Sequence, residues 1–277
     1  MTFRSILVHL DDSAAGERRM DAAVTIARRF KGCVTAIYSS LSSRVEVDIE
    51  QLPPREVAKL MLDREARDRA EALLRRMAEA REHVEIQIRA LGINPIDNAL
   101  AEMRCADLAI LSQPGDEIDI SGFDRRLLEH ALLGSGGPLL VLPFAPSTAE
   151  IGGNVVIAWD GSREAARAVR DALPLLATAS RTTLLSIGNR CRLGEDAQRS
   201  QERVTAYLAL HGVNVQPKRM ESTLDDPGEL LLSELCDLGA DLLVMGAYGH
   251  ARVRELVLGG MTRTMVEKMT VPLFTSH

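Results

Sequence analysis

The sequence predicts an α/β protein built from two tandem doubly wound domains, each a parallel sheet flanked by helices. Three observations carry this. Short apolar runs alternate with amphipathic helical stretches along the chain, the pattern of βαβ units with right-handed crossovers. The opening strand, Arg4-Ser-Ile-Leu-Val-His-Leu-Asp-Asp-Ser13, returns as Asn154-Val-Val-Ile-Ala-Trp-Asp-Gly-Ser162, a repeat of about 150 residues that marks a domain duplication rather than a solenoid. Between the copies, residues 143–153 are rich in Pro, Ser, Thr and Gly and read as a linker. The expected domains are therefore residues 1–145 and 152–277.

The elements follow in step. An apolar strand ending at Asp11 leads to an amphipathic helix over 14–31; its partner in the second copy covers 163–179. Strands are predicted at 33–38 and 181–187. A long, heavily charged helix over 55–81 has Leu60, Leu73, Leu74 and Met77 as its apolar face, and its counterpart at 197–211 is shorter. Residues 84–89 alternate strictly, as in a strand with one wetter face, and 213–220 match them. Asn94-Pro95 and Asp226-Pro227 each place a capping residue before a proline suited to the first helical position, and Glu229 is spaced from Asp226 as in a capping box. Both helices lead to Ala-Asp-Leu (106–108 and 240–242), each opening a strand. The copies close on Pro138-Leu-Leu-Val-Leu142 and Pro272-Leu-Phe-Thr275. Each half is thus βαβαβαβαβ.

Composition narrows the class. The chain is 46% hydrophobic and 26% charged with only 3% aromatics, so its core is aliphatic. A net charge of −6 argues against a nucleic-acid partner. No apolar run is long enough to span a membrane. The N-terminus runs straight into a strand without a signal-peptide layout, and the four cysteines are scattered; a cytoplasmic protein with reduced thiols is expected.

The chemistry gathers near the end of the chain. Met245-Gly246-Ala247-Tyr248-Gly249 closes an apolar strand, and Gly259-Gly260-Met261-Thr262 opens a helix whose apolar residues fall at 261, 265, 266 and 269. A strand end facing a helix start is where a parallel sheet binds anions, because first-turn amides are unpaired and the dipole is positive there. Glycine removes the Cβ that would hold a phosphate off. Neighbouring first and fourth strands would bring Asp160 and this turn to one crevice at the topological switch point.

The spacing Gly-x2-Gly-x9-Gly (Gly246, Gly249, Gly259), with the Asp-x-Ser after strand one, the Ala-Asp-Leu strand and the closing Pro-Leu strand, resembles the universal stress protein family, in two copies covering nearly the whole chain. The resemblance implies a five-stranded parallel sheet per domain, Rossmann-like and of the adenine nucleotide alpha hydrolase type. It also implies an adenine nucleotide site in the second copy for ATP or a related nucleotide, with Mg as a candidate companion. Ala158, Trp159 and Asp160 would lie along adenine and ribose, and Ile187 would pack on the base. Met245, Gly246 and Gly249 would line ribose and phosphates. Gly259, Gly260, Met261 and Thr262 would hold phosphate oxygens. Where the family usually has Ser or Thr after the third glycine, this chain has Gly260, which removes a hydroxyl contact.

Other roles stay open for these residues. Asp160 suits an Asx turn with Ser162 as well as a nucleotide contact. Trp159 suits strand-end packing as well as adenine, and Met245 taken alone suits the core. His250, Arg252 and Arg254 suit either phosphate contact or exposed loop positions. Copy one departs: Leu111-Ser-Gln-Pro-Gly115 and an acidic Asp116-Glu117-Ile118-Asp119 replace the glycine motif, so it is not expected to bind nucleotide. Asp11, Asp12, Asp116, Glu117 and Asp119 form either a cation-attracting set or a solvated acidic loop.

No P-loop motif is present, and no G-x-G-x-x-G follows strand one, which excludes P-loop and dinucleotide chemistry. No nucleophile–base pair is legible, so no catalytic residue is assigned. The expected function is sensory or regulatory nucleotide binding in a stress response; slow Mg-dependent ATP hydrolysis and a ligand-free interaction module are the alternatives. The resemblance further implies that strands 139–142 and 273–275 pair the two copies as a pseudo-dimer. A homodimer of whole chains is a further arrangement open to it.

Overall fold

A computed structural model describes residues 2–11, 13–38, 68, 72, 84–91, 94–114, 123–145, 150–188, 194–222, 227–247 and 260–277. The fold is α/β, and the chain divides into two compact units, Thr2–Gly137 and Pro138–His277.

In the first unit, β1 (Ser5–Leu10), α1 (Ala14–Phe30), β2 (Cys33–Tyr38), β3 (Ile86–Ala90), α2 (Pro95–Met103), β4 (Leu108–Ser112) and α3 (Phe123–Gly134) follow in order. The strands run parallel in the order β3-β2-β1-β4. The charged helix expected over 55–81 lies outside the described residues, except that Asp68 and Ala72 are helical.

The second unit holds β5 (Leu139–Leu142), β6 (Asn154–Ala158), α4 (Arg163–Leu176), β7 (Arg181–Gly188), α5 (Glu195–Leu210), β8 (Gln216–Glu221), α6 (Gly228–Asp237), β9 (Leu242–Gly246), α7 (Gly260–Lys268) and β10 (Leu273–Ser276). Its strand order is β5-β10-β9-β6-β7-β8. All neighbours are parallel except β5, which lies antiparallel to β10 with Leu273 opposite Val141 and Thr275 opposite Leu139. The strand that closes the first repeat in sequence therefore packs within the unit that begins at Pro138.

The apolar runs are buried for the reason parallel strands usually are: helices cover both faces. Leu7, Val8 and Ile110 in the first unit and Val155, Val156, Ile157, Leu243 and Val244 in the second are essentially inaccessible. β8 is largely exposed along its length, which suits its alternating, polar sequence at the sheet edge.

Two polar clamps explain the recurring Ala-Asp-Leu. The Asp107 carboxylate accepts from the amides of Arg4 and Ser5 at 2.8 and 2.9 Å. Asp241 accepts from Gly152, Gly153 and Asn154 at 2.9, 3.0 and 2.7 Å. In each unit, the aspartate before the fourth strand ties down the backbone that enters the first. Burial pushes the Asp241 carboxyl above its ordinary range, outweighing the three amides that pull it down.

Two helix starts differ from expectation. Asn94 makes no side-chain capping bond at the start of α2. α6 begins at Gly228 with Pro227 in the cap position, and Lys268 Nζ donates to the Glu229 carboxylate. Asp226 lies outside the described residues.

Candidate nucleotide site

The parallel pairing of β7, β6 and β9 sets the strand-end residues side by side. Ile157 is in register with Val244 and with Leu184, and Ala158 with Leu185. Ala158, Ile187, Met245 and Gly246 therefore sit at the C-terminal ends of adjacent strands, where open parallel sheets bind ligands. Met245 is buried, as expected of a core residue. Met261 is half-buried and Thr262 buried in the first turn of α7. Gly249, Gly259, His250, Arg252 and Arg254 lie outside the described residues.

After β6 the chain turns sharply. The Asp160 carboxylate accepts from the Ser162 amide at 2.9 Å, and the Ser162 hydroxyl accepts from Ala165 N at 3.1 Å, so Asp160 makes an Asx turn and Ser162 caps α4. The first unit repeats this with Asp11, Ser13 and Gly16 N. Trp159 holds the strand end through its amide, which donates to Leu185 O. Its indole N–H donates to Ser200 Oγ on α5 at 3.1 Å, which turns the ring toward the space between α4 and α5.

Gly246 has a local reason to be glycine. A Cβ there would stand 2.4 Å from Ala165 N and 2.5 Å from the Glu164 carbonyl carbon, both backbone atoms of the first turn of α4. The glycine lets that helix start lie directly on the end of β9. The Glu164 carboxylate is buried at the same place. Burial pushes its pKa up, but the Arg163 side chain, its own amide, and His277 outweigh this and hold it below the ordinary range.

The first unit places a buried cation at its corresponding strand ends. Arg19 on α1 is 1% exposed. Its guanidinium donates to His9 O on β1 at 2.7 Å, to Ser112 Oγ on β4 at 2.9 Å and to the Asp11 carboxylate. Counting from the capping serines, the second unit has Ala168 where the first has Arg19, and its strand ends at Gly246 where the first ends at Ser112. Burial raises the Asp11 pKa, but Arg19, His9 and the Ser13 hydroxyl and amide hold the carboxyl well below the usual range.

His9 Nδ1 lies 3.4 Å from the Asp124 carboxylate, with its ring tilted against Phe123 at 5.4 Å. His9, Asp11 and Asp124 bring possible ligand atoms within 4.8 Å of one another. Arg19 sits on Asp11 in this cluster, and its charge opposes a cation there. Of the acidic set read from sequence, Asp11 is thus committed to Arg19 and Ser13. Asp12, Asp116, Glu117 and Asp119 lie outside the described residues. Arg19, His9 and Asp124 were not singled out in the sequence. Superposing the two copies was the available signal, since only one of them carries an arginine on the buried face of its first helix.

One further contrast concerns helix starts. α1 to α6 each carry an acid in the first turn: Glu17, Asp97, Asp124, Glu164, Glu195 with Asp196, and Glu229. Among the described helices, α7 alone has none. Its positive end is left without a carboxylate of its own.

Against known proteins, residues 153–276 match the model of the Universal stress protein family. These residues form a universal stress protein domain. Universal stress protein Slr1230 from Synechocystis sp. (strain ATCC 27184 / PCC 6803 / Kazusa) is 46% identical over 39 residues, a match spanning 14% of this chain and 14% of that protein. Among solved structures, a universal stress protein from Archaeoglobus fulgidus DSM 4304 superposes with a TM-score of 0.72 at 14% identity, covering 98% of this chain and 97% of its own. The protein PA1789 from Pseudomonas aeruginosa PAO1 gives 0.61 at 16% identity, covering 98% and 92%. At such identities the likeness is one of fold, and it extends through both compact units. No helix among the described residues is long and apolar enough to cross a membrane.

Proposed function

We propose that the universal stress protein domain binds an adenine nucleotide, with ATP as the first candidate, and that this occupancy serves a sensory or regulatory role in stress response. The reading rests on the glycine signature, whose first member ends β9 and whose last stands immediately before α7. The acid-free first turn of α7 supports it, because an external phosphate there would complement a dipole that every other described helix complements internally. The first unit is proposed as a second copy that has given up the site. Arg19 spans the ends of β1 and β4 with a charge that Asp11, His9 O and Ser112 already satisfy.

Gly246 is a poor place to test this, because any side chain there collides with α4 whether or not a nucleotide binds. Met261→Glu is cleaner. A carboxylate in the first turn favours the helix yet repels phosphate. Calorimetry with ATP is expected to show binding by the wild type and at least tenfold weaker binding by Met261→Glu at unchanged thermal stability. No binding by the wild type at millimolar ATP would end the proposal, as would equal binding by the variant.

A further inference from the structure

A second opening lies on the helix side of the same unit. Trp159, Ala166, Val169, Arg170, Ser200, Arg203, Val204 and Tyr207 line a cleft of about 250 Å3 between α4 and α5. That is near the small end of ligand clefts, which run from about 300 to 1,000 Å3. The cleft exists because small residues face each other across the helix pair: Ala166 on one side and Ser200 on the other. Gly161 preserves it. With φ at +79°, it takes a conformation side chains avoid, and a Cβ there would stand 3.0 Å from Ser200 Oγ.

The lining is divided by chemistry. Val169 and Val204 are buried and make an apolar floor. The Trp159 indole, fixed by its bond to Ser200, and the Tyr207 ring, set edge-on against His211 at 4.7 Å, are the aromatic walls. Two arginines stand at the opening. Elsewhere on these helices the arginines have acid partners: Arg163 with Glu164, Arg167 with Asp171, and Arg199 with Glu195 and Asp196. The side chains of Arg170 and Arg203 make no hydrogen bond or ion pair with any described residue. An apolar slot with aromatic sides and, at its mouth, two guanidinium groups that no described acid neutralises matches an amphipathic anion. The guanidinium fork suits a carboxylate, and the rings suit a hydrocarbon or aryl body.

We propose that this cleft binds small amphipathic carboxylates, the acid group held by Arg170 and Arg203 and the apolar body seated between Trp159 and Tyr207. The site is separate from the strand-end crevice and does not depend on nucleotide binding there. Trp159 is the only tryptophan in the chain, and it lines this cleft, so its fluorescence reports on occupancy there.

The experiment titrates the full chain with 4-phenylbutyrate and, in parallel, with its neutral analogue 4-phenylbutanol, following tryptophan emission. A saturable change with the acid at millimolar concentration or below is expected, with the alcohol at least tenfold weaker. Arg170→Gln with Arg203→Gln should weaken the acid at least tenfold while leaving the unliganded emission and thermal midpoint unchanged. Ala166→Leu, which narrows the slot from one side without touching charge, should weaken acid and alcohol together. The absence of a saturable change with phenylbutyrate, equal binding of acid and alcohol, or undiminished binding by the double variant would each overturn the proposal.

Discussion

Arg19→Met removes the guanidinium that occupies the first unit's crevice while keeping most of the apolar stem. The side chains of Arg19 and Asp11 are 2% and 14% exposed, so solvent screens the pair little. The variant loses donors to His9 O, Ser112 Oγ and Asp11 at once. Asp11 keeps the Ser13 amide and hydroxyl, which limits the damage. Hydrogen bonds to charged groups contribute about 1.5–3 kcal/mol each. Removing one partner of a buried ion pair costs about 3–5 kcal/mol. These describe overlapping interactions, so the expected loss is about 3–5 kcal/mol in total, a fall in urea midpoint of roughly 2 M at an m-value near 2 kcal/mol/M.

The pH dependence has a definite sign. The Asp11 carboxyl is depressed in the folded protein, so its contribution is complete above the unfolded value near 3.9 and is lost as pH falls toward the folded value. The gap between wild type and Arg19→Met is expected to stay constant from about pH 5 to 8 and to narrow below about pH 4. Urea melts across that range, followed by circular dichroism, test both points. A midpoint shift under about 0.5 M at neutral pH, or a gap that widens in acid, would refute the reasoning.

Other substitutions test the scaffold. Gly246→Ala should destabilise by about 1–3 kcal/mol, because its Cβ meets backbone of α4 rather than a movable side chain; a thermal midpoint at or above wild type would contradict the close approach described. Asp241→Ala strips an acceptor from three amides and should cost roughly 3 kcal/mol. Hydrogen exchange should show the loss first at Gly152, Gly153 and Asn154, and unchanged exchange there would remove the clamp from the account. Met261→Glu, by contrast, should leave the thermal midpoint within about 0.5 kcal/mol of wild type in stability terms.

The fold was largely legible because its signals are periodic and local. Apolar runs of strand length and helical spacings gave β1, β2, β6 and β7 and the helices between them nearly to the residue. The misses have physical causes. Asn94 looked like a cap because proline followed, but capping needs a side-chain geometry that sequence spacing does not specify, and α6 begins one residue later than the Asp226-Pro227 motif suggested. The pairing of Leu139–Leu142 with Leu273–Thr275, expected from the resemblance, is present; local pattern alone offers no evidence for an antiparallel pairing with residues so far along the chain.

At the candidate site, residue type was informative and direction was not. Asp160 had two possible roles, and the Asx turn is the one the structure displays. Trp159 turns toward Ser200, which no spacing encodes. Gly246 serves a helix contact that could be seen only once α4 lay on β9. Arg19 was overlooked because a charge on an amphipathic helix reads as solvated, whereas here strand-end acceptors satisfy it in full burial.

We propose an asymmetry: a nucleotide binds at the strand ends of the second unit and not at those of the first, where Arg19 lies buried. Counting nucleotides per chain by native mass spectrometry at saturating ATP tests it most directly. One per chain is predicted, lost in Met261→Glu and retained in Arg19→Met. None per chain, or two, would contradict it.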